Sequence, residues 1–119
     1  MLANDVLDAM KVFLTIESGR ESEYLPACTE AISRISSAMK PGADGSDPLL
    51  IRAAAGLALY FTALRETADE RGGGSVKAGD ISVSARPEAF LDCARRIRDE
   101  ALGAAAKLLR DTDFVFRRI

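Results

Sequence analysis

Residues 47–61 read DPLLIRAAAGLALYF and carry the clearest structural signal in the chain. Asp47 offers a side-chain acceptor at a helix N-cap, and Pro48 suits the first helical position, where no N–H partner is needed. From residue 53 to residue 61 every position is apolar. A helix without a polar face has to be surrounded by other helices. We therefore predict a central helix from Pro48 to about Glu70, with a polar end over residues 65–71 that projects from the packed body.

Three further segments place apolar residues at spacings of three and four, which is typical of amphipathic helices. The first covers residues 2–16 and is expected to end at Gly19, the second covers residues 25–39, and the last runs from Pro87 to about Arg110. Together with the central helix, these segments predict a bundle of about four helices. We expect the Ala-rich composition of the helices to allow close helix–helix packing.

Two segments do not fit a helical body. Residues 72–75 are GGGS, a flexible hinge. Within residues 76–84, Ile81 and Val83 alternate with Ser82 and Ser84, which is the period of a strand, and Gly79-Asp80 can turn the chain. The tail 114–119 is short, apolar and β-prone. The predicted fold is therefore a single domain, residues 1–119, of mainly all-α class. It has a small β-hairpin or extended loop before the last helix and a β-prone C-terminal tail.

Unpaired strand-like pieces are a common means by which chains recognise each other. We expect subunit or partner contacts at ten residues of these two segments: Val76, Lys77, Gly79, Asp80, Ile81, Val83, Phe114, Val115, Phe116 and Ile119. The segment of one subunit could lie against the next subunit, a contact that closes into a ring if the rotation permits. Pairing of the two segments inside one subunit is the alternative, and the sequence leaves it open.

Composition argues against several classes of function. A net charge of −2 does not suit a protein that grips nucleic acid without regard to sequence, which needs a basic surface. The chain has no histidine, so a histidine base or histidine metal ligand is excluded. Cys28 and Cys93 lack CxxC spacing, which argues against a zinc site. A disulfide between them is geometrically possible, but we expect two buried free thiols. We predict no catalytic residue, no metal site and no cofactor.

Two charged clusters receive the ordinary structural interpretation. Glu66, Asp69 and Glu70 are close enough along a helix to share a proton or a cation, but we expect a solvated helix end and no enzyme. Arg95 and Arg98, interleaved with acidic residues, are expected to form a solvated face with salt bridges.

The N-terminus has no basic region followed by an apolar run, so no signal peptide is expected. The apolar stretch 49–64 is interrupted by Arg52 and is predicted to fall short of a membrane span. We accordingly expect an intracellular protein that does not enter a membrane.

The order of these parts resembles the head–tail connector (neck adaptor) family of tailed bacteriophages. Residues 5–16 are similar to the short first helix of that family, which ends in a Leu-x-Ile step, here Leu14 to Ile16. An acidic turn and Tyr24-Leu25 lead into the second helix, and a third, apolar helix begins at a proline. A Gly-Asp-x-Ser-Val element, residues 79–83, then precedes the last helix.

The resemblance implies a structural virion protein of a tailed phage or prophage, located in the neck and assembled in the host bacterial cytoplasm. Such connectors form a homo-oligomeric ring beneath the portal protein, extend the DNA channel and offer a surface to the next neck or tail-completion protein. DNA passes through the channel without specific binding. The family's loop between its last helices takes part in ring contacts, and it corresponds to residues 76–84 here. A small helical regulatory or antitoxin-like protein, which binds a protein partner as a dimer, is the alternative.

Overall fold

The computed structural model describes residues 1–71 and 87–110, and the side chains of residues 68–71 and 87 are left out of the description. The chain is mainly helical, as predicted, with 76% of the described residues in helices. Over these two ranges there are four α-helices, which we number in chain order: α1 (Ala3–Met10), α2 (Leu25–Ala38), α3 (Pro48–Arg71) and α4 (Pro87–Ala104). Short 3₁₀ helices at Ser18–Glu23 and Ala106–Leu108 complete the secondary structure.

Helix α3 begins where the sequence predicts. The Asp47 carboxylate accepts a hydrogen bond of 2.9 Å from the backbone N–H of Leu49, and Pro48 occupies the first helical position. Residues 53–60 are all buried, which means that neighbours cover every side of the helix at this level. Helices α1, α2 and α4 all pack against α3. The prediction of a central helix enclosed by the others is confirmed.

Helix α2 runs antiparallel to α3. Near the start of α2, the Glu23 carbonyl accepts a hydrogen bond of 3.3 Å from the Arg65 guanidinium. Closer to its end, the Arg34 guanidinium lies 5.3 Å from the centroid of the Phe61 ring. The turn between the two helices contains Gly42 at φ = 86°, a left-handed conformation that glycine adopts without a steric penalty.

Helix α4 also runs antiparallel to α3, and the two helices approach each other closely at Gly56. A Cβ atom built on Gly56 would lie 3.2 Å from both the Ala101 Cβ and the Arg98 Cα, so the missing side chain is what lets the two backbones meet. Arg98 and Ala101 belong to the C-terminal half of α4, whereas Gly56 belongs to the N-terminal half of α3. The end of α4 therefore lies at the same end of the bundle as the start of α3.

The boundaries of two helices differ from the prediction. Helix α1 ends at Met10 and not near Gly19, which lies in the 3₁₀ helix Ser18–Glu23. The β-branched residues that follow Met10 are weak helix formers, and the apolar spacing alone concealed that weakness. Helix α4 ends at Ala104, about six residues before the expected point, because the following residues turn and pair with the end of α2.

The polar end of α3 was also predicted incorrectly. Glu66 and Thr67 are only 9% and 4% exposed, and the Thr67 hydroxyl donates a hydrogen bond of 2.7 Å to the Ala63 carbonyl. At these two positions the helix is still part of the packed body and does not project from it.

By length and composition, Pro48–Thr67 could span a membrane, contrary to the sequence-based expectation that this region falls short. In the structure most of this stretch is buried inside the protein. Its surroundings are those of a core helix.

Leucine at Gly56 is expected to lower the free energy of unfolding by about 1–3 kcal/mol, because the side chain collides with the backbone of α4. The matched control is leucine at Gly103, where a Cβ meets no atom within 4 Å. That control should stabilise the helix by a few tenths of a kcal/mol to ~1 kcal/mol, since glycine is a poor helix former. Urea denaturation followed by circular dichroism measures both values. Equal stabilities for the two leucine variants would contradict the close contact at Gly56.

Candidate interaction surface

All ten residues predicted to make subunit or partner contacts lie outside the described residues, in segments 72–86 and 111–119. The same holds for the predicted β-hairpin or extended loop and for the β-prone tail. What the structure does describe is where each segment is attached to the helical body. Segment 72–86 joins Arg71 at the end of α3 to Pro87 at the start of α4, and segment 111–119 follows Arg110.

The two attachment sites are at opposite ends of the bundle. Helix α3 has 24 residues and is therefore ~36 Å long at 1.5 Å per residue. Because α4 is antiparallel to α3, segment 72–86 begins and ends near the C-terminal end of α3. Arg110 instead lies beside the end of α2, near the N-terminal end of α3.

Residues 108–110 are fixed to the end of α2 by backbone hydrogen bonds. Leu109 forms an antiparallel bridge with Met39, in which the Lys40 N–H donates to the Leu108 carbonyl at 2.9 Å and the Arg110 N–H donates to the Ala38 carbonyl at 2.6 Å. The Arg110 guanidinium also donates to the Ser37 carbonyl at 2.5 Å. These bonds satisfy carbonyl groups that the end of a helix leaves without an intrahelical partner.

An open apolar groove of about 340 Å³ lies between the end of α1 and the first turns of α3. We call it the α1–α3 groove, and its lining consists of Ala9, Val12, Phe13, Pro48, Ile51 and Arg52. Val12 is 76% exposed, the largest exposure among the large apolar side chains of the described residues. An exposed valine next to a half-buried phenylalanine and isoleucine makes a continuous apolar surface, and such surfaces mark interaction sites when they are large enough.

Charged groups border the α1–α3 groove. The Arg52 guanidinium lies 5.4 Å from the centroid of the Phe13 ring, a cation–π contact that holds the arginine along the rim. Next to the groove, Lys11 forms ion pairs with Glu21 and, at 3.7 Å, with Asp8. The Glu21 hydrogen bond raises the pKa of Lys11, so this amine stays charged. An apolar floor beside the Arg52 cation suits an apolar segment that also carries a carboxylate.

The sequence-based prediction missed this groove. Val12 and Phe13 were assigned to the buried stripe of a longer first helix, and residues 48–52 were regarded only as the start of α3. The signal that was available is the weak helix propensity of Val12, Thr15 and Ile16, which argues against a helix that continues to Gly19.

A second cleft lies between α2 and α3 and has a volume of about 300 Å³. Phe61 and Pro26 contribute apolar surface, but Glu30, Thr62 and Arg65 line it as well. Arg34 covers the Phe61 ring and is itself paired with Glu30 at 3.4 Å. Because its charges are already paired within the chain, this cleft is a weaker candidate for a contact surface than the α1–α3 groove.

Arg98 is buried, which corrects the prediction that it lies on a solvated face. Only 5% of Arg98 is exposed, and its guanidinium lies 4.4 Å from the centroid of the Tyr60 ring. It forms an ion pair of 2.7 Å with Asp99, while its Nη1 atom is buried and has no hydrogen-bond partner. Arg95 does follow the prediction, since it is exposed and pairs with Asp92 at 3.1 Å.

Replacing Arg98 by methionine is expected to leave the free energy of unfolding unchanged or to raise it by up to ~2 kcal/mol. The methionine keeps apolar contact with Tyr60 and removes a buried cation with an unsatisfied donor. Arg95→Met is the control on the exposed side of the same helix and should change stability by less than about 0.5 kcal/mol. Thermal and urea unfolding measure both. A clear loss of stability for Arg98→Met would mean that the pair with Asp99 outweighs the cost of burial.

Both cysteines are free thiols in the structure, as expected. Cys28 is fully buried at the α1–α2 contact, where its Sγ donates to the Met10 Sδ at 3.5 Å, whereas Cys93 on α4 is half-buried. Burial raises the pKa of the Cys28 thiol from 9.0 to about 11. Within residues 1–71 and 87–110, no group of three or more cysteine and acidic residues could hold a metal ion.

The raised pKa of Cys28 predicts a loss of stability at alkaline pH. Between pH 9 and 11 the unfolded chain releases the thiol proton while the folded chain retains it, so the free energy of unfolding falls as pH rises. Replacement by alanine should make this decline shallower, although it lowers stability at neutral pH by leaving a small cavity. Urea denaturation at several pH values measures both slopes. Identical slopes for Cys28→Ala and the parent chain would contradict the shift.

No protein-family model, no curated protein and no solved structure matches this chain.

Proposed function

We propose that this chain is a head–tail connector subunit of a tailed phage or prophage. In this proposal, copies of the chain form a ring under the portal protein, extend the DNA channel and join the head to the tail. The ring would contact the portal on one side and a neck or tail-completion protein on the other, in the virion neck. DNA would pass without specific binding, which fits the net charge of −2.

The observation that carries the proposal is the attachment of segments 72–86 and 111–119 at opposite ends of one helical body. A ring contact is heterologous, which means that one surface of a subunit meets a different surface of the next. A subunit with separate contact segments at its two ends has the two surfaces that such a contact needs. In this arrangement residues 76–84 form the β element that contacts a neighbour, and residues 114–119 form a second contact segment.

Two further features support the proposal. The order of a short first helix, an acidic turn, a second helix, a Pro-started apolar helix and a last helix is the order on which the family resemblance rests, and α1 to α4 follow it. The α1–α3 groove is an additional apolar surface that remains open in a single copy. Both features are expected of a small protein that works by contact with other proteins.

The test mixes the purified chain with the portal protein encoded beside it and examines the mixture by negative-stain electron microscopy. We expect a second ring stacked on the portal ring. A variant in which residues 76–84 are replaced by nine glycine and serine residues should keep its helical circular dichroism but form no ring. Ser33→Asp, a change on the exposed side of α2, is the control that should still form one.

The proposal would be refuted if the parent chain bound the portal at none of several salt concentrations. A gene neighbourhood that lacks portal, terminase and capsid genes would refute it as well. A discrete dimer that captures one cellular protein would instead favour the regulatory or antitoxin-like alternative. A large loss of helical signal in the replaced variant would show that residues 76–84 belong to the core.

A further inference from the structure

The α1–α3 groove is an apolar surface that the described part of the chain leaves open. Its floor comes from Phe13 and Ile51, which are half-buried, and its edge comes from Val12, which is 76% exposed. Leaving this much of an apolar side chain in water gives up the ~25 cal/mol per Å² that burial would provide. Of the described residues, Arg52 lies over the Phe13 ring, while Val12 remains open to solvent. A surface of this kind gains stability when a second apolar segment fills it.

The charge of Arg52 indicates which side chains a segment in the groove should carry. Arg52 is exposed on the rim of the groove, and no carboxylate of the described residues lies within ion-pair distance of it. A suitable occupant therefore combines apolar side chains with a nearby acidic residue.

Segment 111–119 of this chain has that chemistry. It reads DTDFVFRRI, with two phenylalanines separated by one residue and an aspartate directly before the first of them. In an extended segment, residues two apart lie on the same face, so Phe114 and Phe116 could enter one groove together. Asp113 would then be next to the rim, where Arg52 can pair with it.

The direction of the chain at Arg110 indicates that segment 111–119 would meet the groove of another copy and not the groove of its own subunit. Residues 108–110 run antiparallel to residues 38–40, so at Arg110 the chain is directed back toward the start of α2. The groove lies in the other direction, beyond the turn that leads to Pro48. At Arg110 the chain is thus directed away from the groove of its own subunit.

We infer that the α1–α3 groove of one subunit receives Phe114 and Phe116 of a neighbouring copy of this chain, with Asp113 paired to Arg52. The contact is heterologous, since a groove on one copy meets a tail on the next, and it can therefore repeat around a ring. This inference rests on the self-association in the proposed function and names one of its contacts.

Disulfide trapping between two full-length variants tests the contact. Both carry Cys93→Ser, so that the remaining native thiol is the buried Cys28. One adds Val12→Cys in the groove and the other adds Phe114→Cys in the tail. We expect a cross-linked heterodimer when the two are mixed under mild oxidation. A Ser33→Cys variant, on an exposed part of α2, replaces the groove variant as the control and should give little of it.

Charge exchange tests the specific pairing. Arg52→Glu in the groove variant should lower the rate of cross-linking roughly threefold, because an exposed ion pair is lost and a repulsion is introduced. Asp113→Arg in the tail variant should restore the rate by reversing both charges.

The cross-linking results distinguish a contact between copies from a contact within one copy, and both from the proposed neck function. A chain carrying both Val12→Cys and Phe114→Cys that closes on itself as a monomer would show that the groove holds its own tail, and this would overturn the inference. Absence of any cross-link above the Ser33→Cys control would overturn it as well. A chain that stacks on the portal but does not cross-link refutes this contact alone, whereas one that cross-links but ignores the portal refutes the proposed neck function alone.

Discussion

Helix α3 has no face that can be left in water, and the rest of the described structure follows from that constraint. Residues 53–60 are buried on all sides, so three other helices have to cover them. Alanine and glycine provide little side-chain volume in this stretch, which allows the neighbours to approach closely. At Gly56 the approach is close enough that one added carbon would lie 3.2 Å from atoms of α4.

The same helix packing determines where segments 72–86 and 111–119 are attached to the helical body. Because α2 and α4 are both antiparallel to α3, segment 72–86 is attached at one end of the body and segment 111–119 at the other. The bonds between residues 108–110 and the end of α2 fix the second attachment by backbone groups, so its position depends little on side-chain identity. The two attachment points, Arg71 with Pro87 and Arg110, are thus held at opposite ends of the helical body.

Local chemistry was sufficient to predict α3, since the Asp47 cap and Pro48 act through their immediate neighbours. It also predicted the enclosure of α3 and the free thiols. Local chemistry was insufficient where residues that are distant in sequence determine a helix end or the burial of a side chain. The end of α4 depends on pairing with Met39, and the burial of Arg98 depends on the Tyr60 ring on another helix. The α1–α3 groove was missed for the same reason, because its lining comes from two helices that are far apart in sequence.

The groove exists because α1 is too short to cover α3. Helix α1 has eight residues and spans ~12 Å, about a third of the length of α3. A continued α1, with 3.6 residues per turn, would place Phe13 near the buried stripe of Val6 and Met10 but Val12 on the opposite side of the helix. Val12 therefore lies at the surface, beside Ile51 and the cation of Arg52. The short first helix thus leaves an apolar surface open beside the first turns of α3, and covering that surface would recover free energy that the single copy gives up.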